Sequence, residues 1–436
     1  MHSGASCDDL ARIILIIKIT AMSASTGFSV AIAGAGLSGL CLAQYLMRAG
    51  IDVHVYERDP GPFIRRQGYR IILDRYGLAA LRESLPRPLY RLALATGDEP
   101  GGQLRFTDRR LRDAFTVTFK DDPHETRQVD RLTLRSILQS GLDGRIHYGK
   151  TAVAVDSGGP AGLRLRFSDG GAAAATVVVG ADGVGSALRA QLVPDADPAD
   201  TPMAGIYGRS PLWRDGASVI PDALRTSGVL AIADRPGSAF FFTSMRFGES
   251  PREAFTRLAP GSYAPTGDDY VMWALLLRRD ELPGGVRGDL RALWHLAASR
   301  SRDFHPLARR LVDTAELDAT VLNLFATGRR PIRWAVPRAT MMGDAVHVMP
   351  PFGAHGGNTA LRDAALLGRR LVDARDNGTP VEEAIAGYQD EMVPYAFRAV
   401  DTAGKLMHRL TGGAAAPHWV LTRVLPRLHR VTVPEA

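Results

Sequence analysis

The sequence predicts an α/β protein with a Rossmann-like domain, an antiparallel-sheet domain interleaved with it, and a helical C-terminus. Three observations predict this fold. Residues 28–33 form a β-prone run that leads at once into a glycine-rich turn and a helix. Two later apolar runs, 176–179 and 339–342, also end at glycine-containing turns. Residues 200–334 alternate strand-like runs with Pro- and Gly-rich loops, which is typical of an antiparallel sheet.

The first predicted unit is a strand, a glycine turn, a helix and a second strand. The helix covers 40–49 and stops at Gly50, because glycine is the usual residue just past a helix C-terminus. The second strand covers 51–56 and is followed by Glu57 and Arg58. This order of elements is one βαβ unit, the building block of a parallel sheet.

The remaining elements alternate between the two predicted domains. Helices are predicted at 131–142, 290–312 and 361–376, and strands at 146–156, 163–167, 229–233, 239–245 and 270–277. We therefore predict a Rossmann-like domain from 28–78, 130–195 and 335–400, a second domain from 79–129 and 196–334, and a helical tail at 401–436.

Composition excludes several classes of protein. The chain is 45% hydrophobic and 23% charged, as in ordinary globular proteins. Its net charge of +7 suggests nucleic acid, but the basic residues are scattered among 46 acids and form no finger or zipper motif. Two cysteines cannot build a disulfide framework or a four-thiolate metal site. We therefore expect a cytoplasmic protein that binds no nucleic acid and no metal.

Residues 1–27 are predicted to be a non-native or disordered extension. The apolar run 13–19 is interrupted by Lys18 and is shorter than the roughly 20 residues of a membrane-spanning helix. A signal peptide is an alternative, because 23–25 is a small-residue triplet. Met22 stands just before the first strand, and we expect it to be the natural start. Membrane association remains a further alternative, since the C-terminus at 421–431 is basic and helical, but we expect no stable insertion.

The first glycine turn has the pattern of a dinucleotide-binding motif. Gly34 permits the tight turn, Gly36 lets the backbone approach a pyrophosphate, and Gly39 lets helix and strand pack closely. The helix N-terminus then offers free N–H groups and its positive dipole end to phosphate. Glu57, at the end of the second strand, can accept hydrogen bonds from ribose hydroxyls. The motif alone leaves open whether the dinucleotide is NAD or FAD.

Two later motifs bear on that choice. The segment GADGVGSALR begins at Gly180, and GDAVHVMPPFGAHGGN begins at Gly343. Each places a carboxylate and a flexible backbone at the carboxyl end of a buried strand, where α/β sheets bind ligands. The second motif also opens onto a helix N-terminus, which could hold a second phosphate or the edge of an electron-rich ring. FAD is long and needs such a distant second contact.

Together these motifs resemble the FAD-dependent monooxygenases of the para-hydroxybenzoate hydroxylase type, the group A flavoprotein monooxygenases. GAGLSG, GADGVGSALR and GDAVHVMPPFGAHGGNTALRDA occur in the family's order and span residues 34–364. A fourth element, DRLTLR at 130–135, resembles the family's arginine-bearing helix start. The resemblance implies that the Rossmann-like domain binds FAD and that the interleaved antiparallel-sheet domain binds substrate.

The resemblance also implies which residues bind the cofactor. The candidates are Gly34, Ala35, Gly36, Leu37, Ser38, Gly39, Glu57, Arg58, Arg131, Asp182, Asp344, Pro351, Gly356, Gly357 and Asn358. By analogy with the family, 34–39 cradle the pyrophosphate, Glu57 holds the adenosine ribose with Arg58 near the adenine, and Arg131 contacts phosphates or ribose. Asp182 serves both FAD and NAD(P)H, and Asp344 bonds the ribityl chain. Pro351, Gly356 and Asn358 line the flavin ring.

The implied reaction is oxygenation of a small aromatic or polyketide-like molecule of secondary metabolism. NAD(P)H would reduce FAD, O2 would form a flavin C4a-hydroperoxide, and one oxygen atom would pass to the substrate. Baeyer–Villiger oxidation or epoxidation on the same fold is an alternative. A non-catalytic flavin- or ligand-binding protein is another. The sequence does not decide between a monomer and a homodimer, and it does not decide between NADH and NADPH.

No catalytic acid or base is assigned from the sequence. His347 and His355 either donate protons or make structural hydrogen bonds. The role of His355 is open because the chain has AHG at 354–356 where many relatives have Gly-Gln-Gly. The aromatic residues of the second domain either line a substrate pocket or form its core. These residues, with one methionine, are Tyr207, Phe240, Phe241, Phe242, Met245 and Trp273.

Overall fold

The computed structural model describes residues 27–62, 64, 69–99, 101–118, 125–158, 162–265 and 267–411. The predictions for the extension before Gly27 and for the chain after Thr411 lie outside these residues. In the part of the chain that is described, no helix is both long and apolar enough to cross a membrane.

The strands are numbered in chain order. They are β1 (Ser29–Ala33), β2 (Asp52–Glu57), β3 (Arg70–Leu73), β4 (Gln103–Asp108), β5 (Asp113–Thr118), β6 (Arg127–Asp130), β7 (Ile146–Tyr148), β8 (Ala152–Ser157), β9 (Leu163–Phe167), β10 (Ala172–Ala175), β11 (Val177–Gly180), β12 (Ala199–Pro211), β13 (Trp213–Arg214), β14 (Ala217–Ser218), β15 (Gly228–Ile232), β16 (Ala239–Met245), β17 (Tyr270–Arg278), β18 (Val321–Thr327) and β19 (Ala339–Met341).

The α-helices are numbered separately. They are α1 (Leu37–Arg48), α2 (Arg75–Ser84), α3 (Arg87–Thr96), α4 (Arg131–Gln139), α5 (Arg189–Leu192), α6 (Asp222–Arg225), α7 (Pro251–Leu258), α8 (Leu290–Arg300), α9 (Pro306–Asp313), α10 (Asp344–His347), α11 (His355–Asn377) and α12 (Val381–Thr411).

A five-stranded parallel sheet forms the centre of the first unit. Its order is β19–β11–β1–β2–β7, and every neighbouring pair is parallel. All four residues of β11 are buried, as expected for a strand covered on both faces. One hydrophobic core joins this sheet to α1, α4, α11, α12 and the three-stranded antiparallel sheet β10–β9–β8. The α/β fold predicted from the sequence is confirmed.

A seven-stranded sheet forms the second unit, in the order β18–β12–β17–β16–β15–β4–β5. The sequence predicts an antiparallel sheet here, and five of the pairs are antiparallel, but β15 and β4 are parallel. The parallel pair arises because β4 enters from the segment 79–129 rather than through a hairpin. That segment is shared between the units, since α3 packs in the first core while β4 contributes to the sheet.

Two predicted elements differ from the structure. The strand predicted at 146–156 is two strands, because Gly149 has a φ of 70° and turns the chain between β7 and β8. The helix predicted at 290–312 is also two elements, α8 and α9. A 3-10 turn at Ser301–Asp303 and Pro306 at the start of α9 interrupt it, because proline lacks the N–H that a continuous helix needs.

Candidate functional site

The sequence-predicted motifs meet at one edge of the parallel sheet. The strands β19, β11, β1 and β2 are consecutive neighbours and run in the same direction. Their carboxyl ends therefore carry, side by side, the third turn (residues 343–344), the second turn (180–183), the first turn (34–39) and Glu57. Ligands of open α/β sheets bind at this edge.

The three glycines of the first turn are not required for the same reason. Gly34 has a φ of 106°, and a Cβ there would lie 2.4 Å from the carbonyl oxygen of Ala181. A Cβ on Gly39 would lie 2.2 Å from the carbonyl oxygen of Gly34. Gly36 is open by contrast, since Ala181 O is the nearest atom at 3.9 Å. The fold therefore requires glycine at positions 34 and 39, whereas the space at Gly36 is available to a ligand.

The helix that follows the first turn is open at its N-terminus. Gly36 is its N-cap, and among the described residues no side chain caps the N–H groups of the first turn of α1. These N–H groups are polar and need a partner, and the positive end of the helix dipole favours an anion. The open space at Gly36 and the uncapped N–H groups fit the pyrophosphate of a dinucleotide.

Glu57 lies at the carboxyl edge of the parallel sheet, and its carboxylate also binds the backbone of the first turn. It is 8% exposed, its Oε2 accepts a hydrogen bond from the N–H of Ala35 at 2.8 Å, and its Oε1 accepts one from the N–H of Asp59 at 3.0 Å. Each carboxylate oxygen retains a lone pair that could accept a hydrogen bond from a hydroxyl group. Sequence reasoning assigned Glu57 to the ribose alone and did not find this second role. Arg58, beside it, is exposed.

The start of α4 approaches the first turn from another side. Asp130 caps this helix, since its Oδ1 accepts a hydrogen bond from the N–H of Thr133 at 2.7 Å. Burial lowers the pKa of Arg131, and the attraction of Asp344 opposes that shift. Arg131 therefore interacts electrostatically with the third turn. Arg135, to which sequence reasoning gave no role, donates from Nε to the carbonyl of Ala35 at 3.1 Å and holds α4 against the first turn.

The second turn is tied to the third by one arginine. Arg189 donates from Nε to the carbonyl of Ala345 at 2.8 Å, and from its guanidinium to the carbonyl of Val184 at 2.7 Å. In the same turn, Asp182 accepts a hydrogen bond at Oδ2 from the N–H of Ala187 at 3.1 Å. Its Oδ1 is buried with no partner among the described residues, and burial raises the pKa of this carboxyl.

The third turn is held from behind by buried side chains. Gly343 has a φ of 59°, and its N–H donates to Oδ2 of Asp363 at 2.9 Å. The Nε2 atom of His347 lies 2.6 Å from the same oxygen, and both side chains are fully buried. Asp344 remains exposed at the edge. His347 thus makes a structural hydrogen bond, the alternative to a proton donor that the sequence left open.

The Pro/Gly loop (residues 349–354) leads into α11 through Ala354, which has a φ of 59°. Within the described ranges, no side chain caps the start of α11. A Cβ on Gly356 or Gly357 would meet no atom closer than 3.7 Å, so the first turn of α11 is open to a ligand. Pro351 is exposed in the same loop. Burial lowers the pKa of His355, which favours its neutral form.

The side-chain amide of Asn358 is bonded to backbone groups of the protein. Its Nδ2 donates to the carbonyls of Ile72 at 2.9 Å and Ala354 at 3.0 Å, and its Oδ1 accepts from the N–H of Asp74 at 3.0 Å. The Asn358 amide therefore clamps α11 to the start of α2, and its assignment to the flavin ring stays a prediction. Gly77 is required there, because a Cβ would lie 2.2 Å from Oδ1 of Asn358.

The aromatic residues divide between the two faces of the seven-stranded sheet. Phe240, Phe242 and Trp273 belong to the core that this sheet forms with α8 and α9. Phe241 alternates to the other face, where it shares a cluster with Tyr207 and with Phe352 of the Pro/Gly loop.

No group of three or more possible metal ligands occurs within the described ranges.

Comparison with known proteins adds family evidence. An FAD binding domain matches residues 303–403, and an NAD(P)-binding Rossmann-like domain matches residues 32–81. The chain is 30% identical over 386 residues to 3-amino-4-hydroxybenzoate 2-monooxygenase of Streptomyces cremeus, covering 84% of this chain and 83% of that one. It superposes on a candidate FAD-containing monooxygenase from Photorhabdus luminescens subsp. laumondii with a TM-score of 0.75 and 28% identity, covering 88% and 98% of the two chains.

A longer relative matches over part of its length. The dual O-methyltransferase/FAD-dependent monooxygenase elcB of Phaeosphaeria nodorum is 31% identical over 434 residues, which cover 91% of this chain and 46% of elcB. The chain thus spans about half the length of this curated relative.

Proposed function

Since the chain belongs to the group A flavoprotein monooxygenases, we propose that it is an FAD-dependent monooxygenase that consumes NAD(P)H and O2. Its substrate is a small aromatic or polyketide-like molecule that gains one oxygen atom. When bound, FAD would supply the redox chemistry by accepting hydride from NAD(P)H and activating O2 at carbon C4a. The protein supplies binding, orientation and exclusion of water.

The observation that carries this proposal is the pair of uncapped helix N-termini at one sheet edge. The start of α1 would bind the pyrophosphate through backbone N–H groups beside Gly36, and Glu57 would accept the ribose hydroxyls. The start of α11 would direct its dipole towards the flavin ring, which stabilises negative charge there. Asp344, exposed between the two helices, would accept hydrogen bonds from the ribityl chain.

The substrate would bind between the Pro/Gly loop and the apolar face of the seven-stranded sheet. Phe352 of that loop meets Phe325 of β18 edge to face, with ring centroids 6.1 Å apart. Phe106 and Phe115 stack at 4.3 Å on the same face. These side chains are buried or partly buried in one apolar cluster. Such an environment would suit a flat apolar molecule and would keep water from the reacting atoms. The aromatic substrate named for the Streptomyces relative supports the same class.

The first test is a visible spectrum of the purified protein, followed by NADPH or NADH oxidation in air with phenolic and polyketide compounds. We expect bound flavin, a compound that accelerates NAD(P)H loss, and a product that carries one atom from ¹⁸O2. Gly36→Ala is the matched negative control, because its Cβ fits the fold and occupies the pyrophosphate space. A protein that cannot be loaded with FAD would refute the proposal.

The same assay separates the alternative functions. A ring hydroxyl in the product indicates hydroxylation, whereas an ester or epoxide indicates Baeyer–Villiger oxidation or epoxidation. Bound flavin with no compound that stimulates NAD(P)H loss indicates a non-catalytic binding protein. We further propose a cytoplasmic monomer or homodimer, which sedimentation of the holoprotein and fractionation of the native host would check.

A further inference from the structure

One buried carboxylate connects three parts of the fold behind the third turn. Oδ2 of Asp363 accepts the N–H of Gly343 at 2.9 Å and lies 2.6 Å from Nε2 of His347. Oδ1 accepts the hydroxyl of Tyr395 at 2.7 Å. The side chains of Asp363 and His347 have no exposed surface. A buried charge in this setting needs all of its partners, because an unpaired one is costly.

The bonds of this carboxylate join elements that are distant in sequence. Asp363 lies on α11 and Tyr395 on α12, whereas Gly343 follows β19. The guanidinium of Arg362 covers the ring of Tyr395, 3.8 Å from its centroid, and so closes the outer side of the network. The carboxylate therefore sits where two long helices meet the turn.

The turn that Asp363 holds is also packed against α1. A Cβ on Gly343 would lie 3.0 Å from Oγ of Ser38, which belongs to the first turn of that helix. A small displacement of Gly343 would therefore change the distance between Asp344 and the N-terminus of α1. These are the two places assigned above to the ribityl chain and the pyrophosphate.

We propose that Asp363, held by Tyr395 and His347, is a positioning residue that fixes the third turn relative to α1 and thereby sets the affinity for the flavin half of FAD. This inference rests on the proposed function. Asp363 would act through Gly343 and Asp344, and it touches no part of the cofactor itself. Its effect should therefore be specific to ligands that reach the third turn.

The experiment compares FAD with ADP, which carries only the half of the cofactor that the first turn would bind. Dissociation constants of both ligands are measured by titration of the flavin-free full chain, with Asp363→Asn and Tyr395→Phe as test variants. We expect both variants to weaken FAD binding by about tenfold or more. Tyr395→Phe removes a hydrogen bond to a buried charge, whereas Asp363→Asn removes the charge and replaces one acceptor oxygen with an NH2 donor. The ADP constant should stay within about twofold of the wild type.

Two matched controls separate positioning from general stability. Tyr388→Phe removes another buried hydroxyl of α12, which donates to the carbonyl of Met341 at 3.0 Å. Asp373→Asn neutralises an exposed carboxylate of α11. Both should bind FAD like the wild type, even where the melting temperature of Tyr388→Phe falls as far as that of Tyr395→Phe. If Asp363→Asn does not fold, Tyr395→Phe carries the test.

The outcomes are distinguishable. Unchanged FAD binding in Tyr395→Phe, or equal loss of FAD and ADP, would overturn the positioning role and leave the proposed function intact. A wild-type chain that binds ADP but no FAD would overturn the proposed function, and the inference with it. The positioning role is supported if FAD affinity falls in the test variants but not in the controls, while ADP affinity is unchanged in all of them.

Discussion

The first and third turns lie at the same edge of one sheet but are built in different ways. The first turn is shaped mainly by close backbone contacts: a Cβ on Gly39 would meet the carbonyl oxygen of Gly34, and a Cβ on Gly34 would meet that of Ala181. The third turn is shaped by side chains from α11 and α12, 20 residues beyond Gly343 in the case of Asp363. The glycine spacing of the first turn is therefore visible in the local sequence, whereas the third turn depends on a side chain of α11 that no local pattern indicates.

The largest expected effect comes from breaking the first turn. Gly39→Ala places a Cβ 2.2 Å from a backbone oxygen of Gly34, so strand and helix must separate. We expect a loss of about 3 kcal/mol in the free energy of unfolding, measured by urea denaturation, together with loss of FAD. Gly404→Ala is the control: its Cβ meets open space in α12, and the better helix propensity should add up to about 1 kcal/mol.

The next variant separates fold from ligand in that turn. Gly36→Ala should lower the free energy of unfolding by less than about 1 kcal/mol. The nearest atom to the new Cβ is the carbonyl oxygen of Ala181 at 3.9 Å, which is an ordinary van der Waals contact. FAD binding should nevertheless fall by about tenfold or more, since the methyl group occupies the approach to the pyrophosphate. Titration with FAD and urea denaturation of the same sample check both parts. Tight FAD binding would remove the glycine's assigned role.

The third turn should respond to pH in a way that depends on His347. Burial lowers the pKa of His347, but the charge of Asp363 and its hydrogen bond outweigh burial, with a smaller contribution from Asp344, and raise it above 6.5. The stabilisation by this pair is therefore complete below pH 6.5 and is lost as pH rises through the folded-state pKa.

Replacing His347 with Gln measures this contribution. The difference in unfolding free energy between wild type and His347→Gln should be larger near pH 6 than near pH 9. Denaturant titrations of both proteins at several pH values, without added FAD, would show it. A difference that is constant with pH, or that grows towards pH 9, would contradict the charged pair.

The prediction with the smallest consequence for stability and FAD binding concerns α1, the helix that follows the first turn. Burial raises the pKa of Cys41 to about 12, with a hydrogen bond to Ser84 opposing the shift. Alkylation of this thiol at pH 8 should be more than about a hundredfold slower than in the denatured chain. Mass spectrometry of the Cys41 peptide measures this rate. Faster labelling in Gly39→Ala than in Gly404→Ala would report the loosening of α1.

Much of the fold could be predicted because its signals are local. The pattern of strand, glycine turn and helix located β1, α1 and β2, and the buried runs located β11 and β19. The parallel pair of β15 with β4 could not be predicted, because pairing between residues 124 positions apart, such as Leu104 and Gly228, leaves no periodic pattern in either strand. Similarly, alternation along β16 indicates that Phe241 and Phe242 face opposite sides, but not which side meets the helices.

The sequence by itself determined the α/β class, the family and the edge at which the candidate residues gather, because parallel strands bring their carboxyl ends together. Only the tertiary structure decided the partners of those residues. In the folded chain, Glu57 accepts a hydrogen bond from the N–H of Ala35, and Asn358 donates one to the carbonyl of Ile72. Asp363 accepts hydrogen bonds from Gly343 and Tyr395. The physical reason is that buried polar groups must find hydrogen bonds wherever packing brings donors and acceptors together.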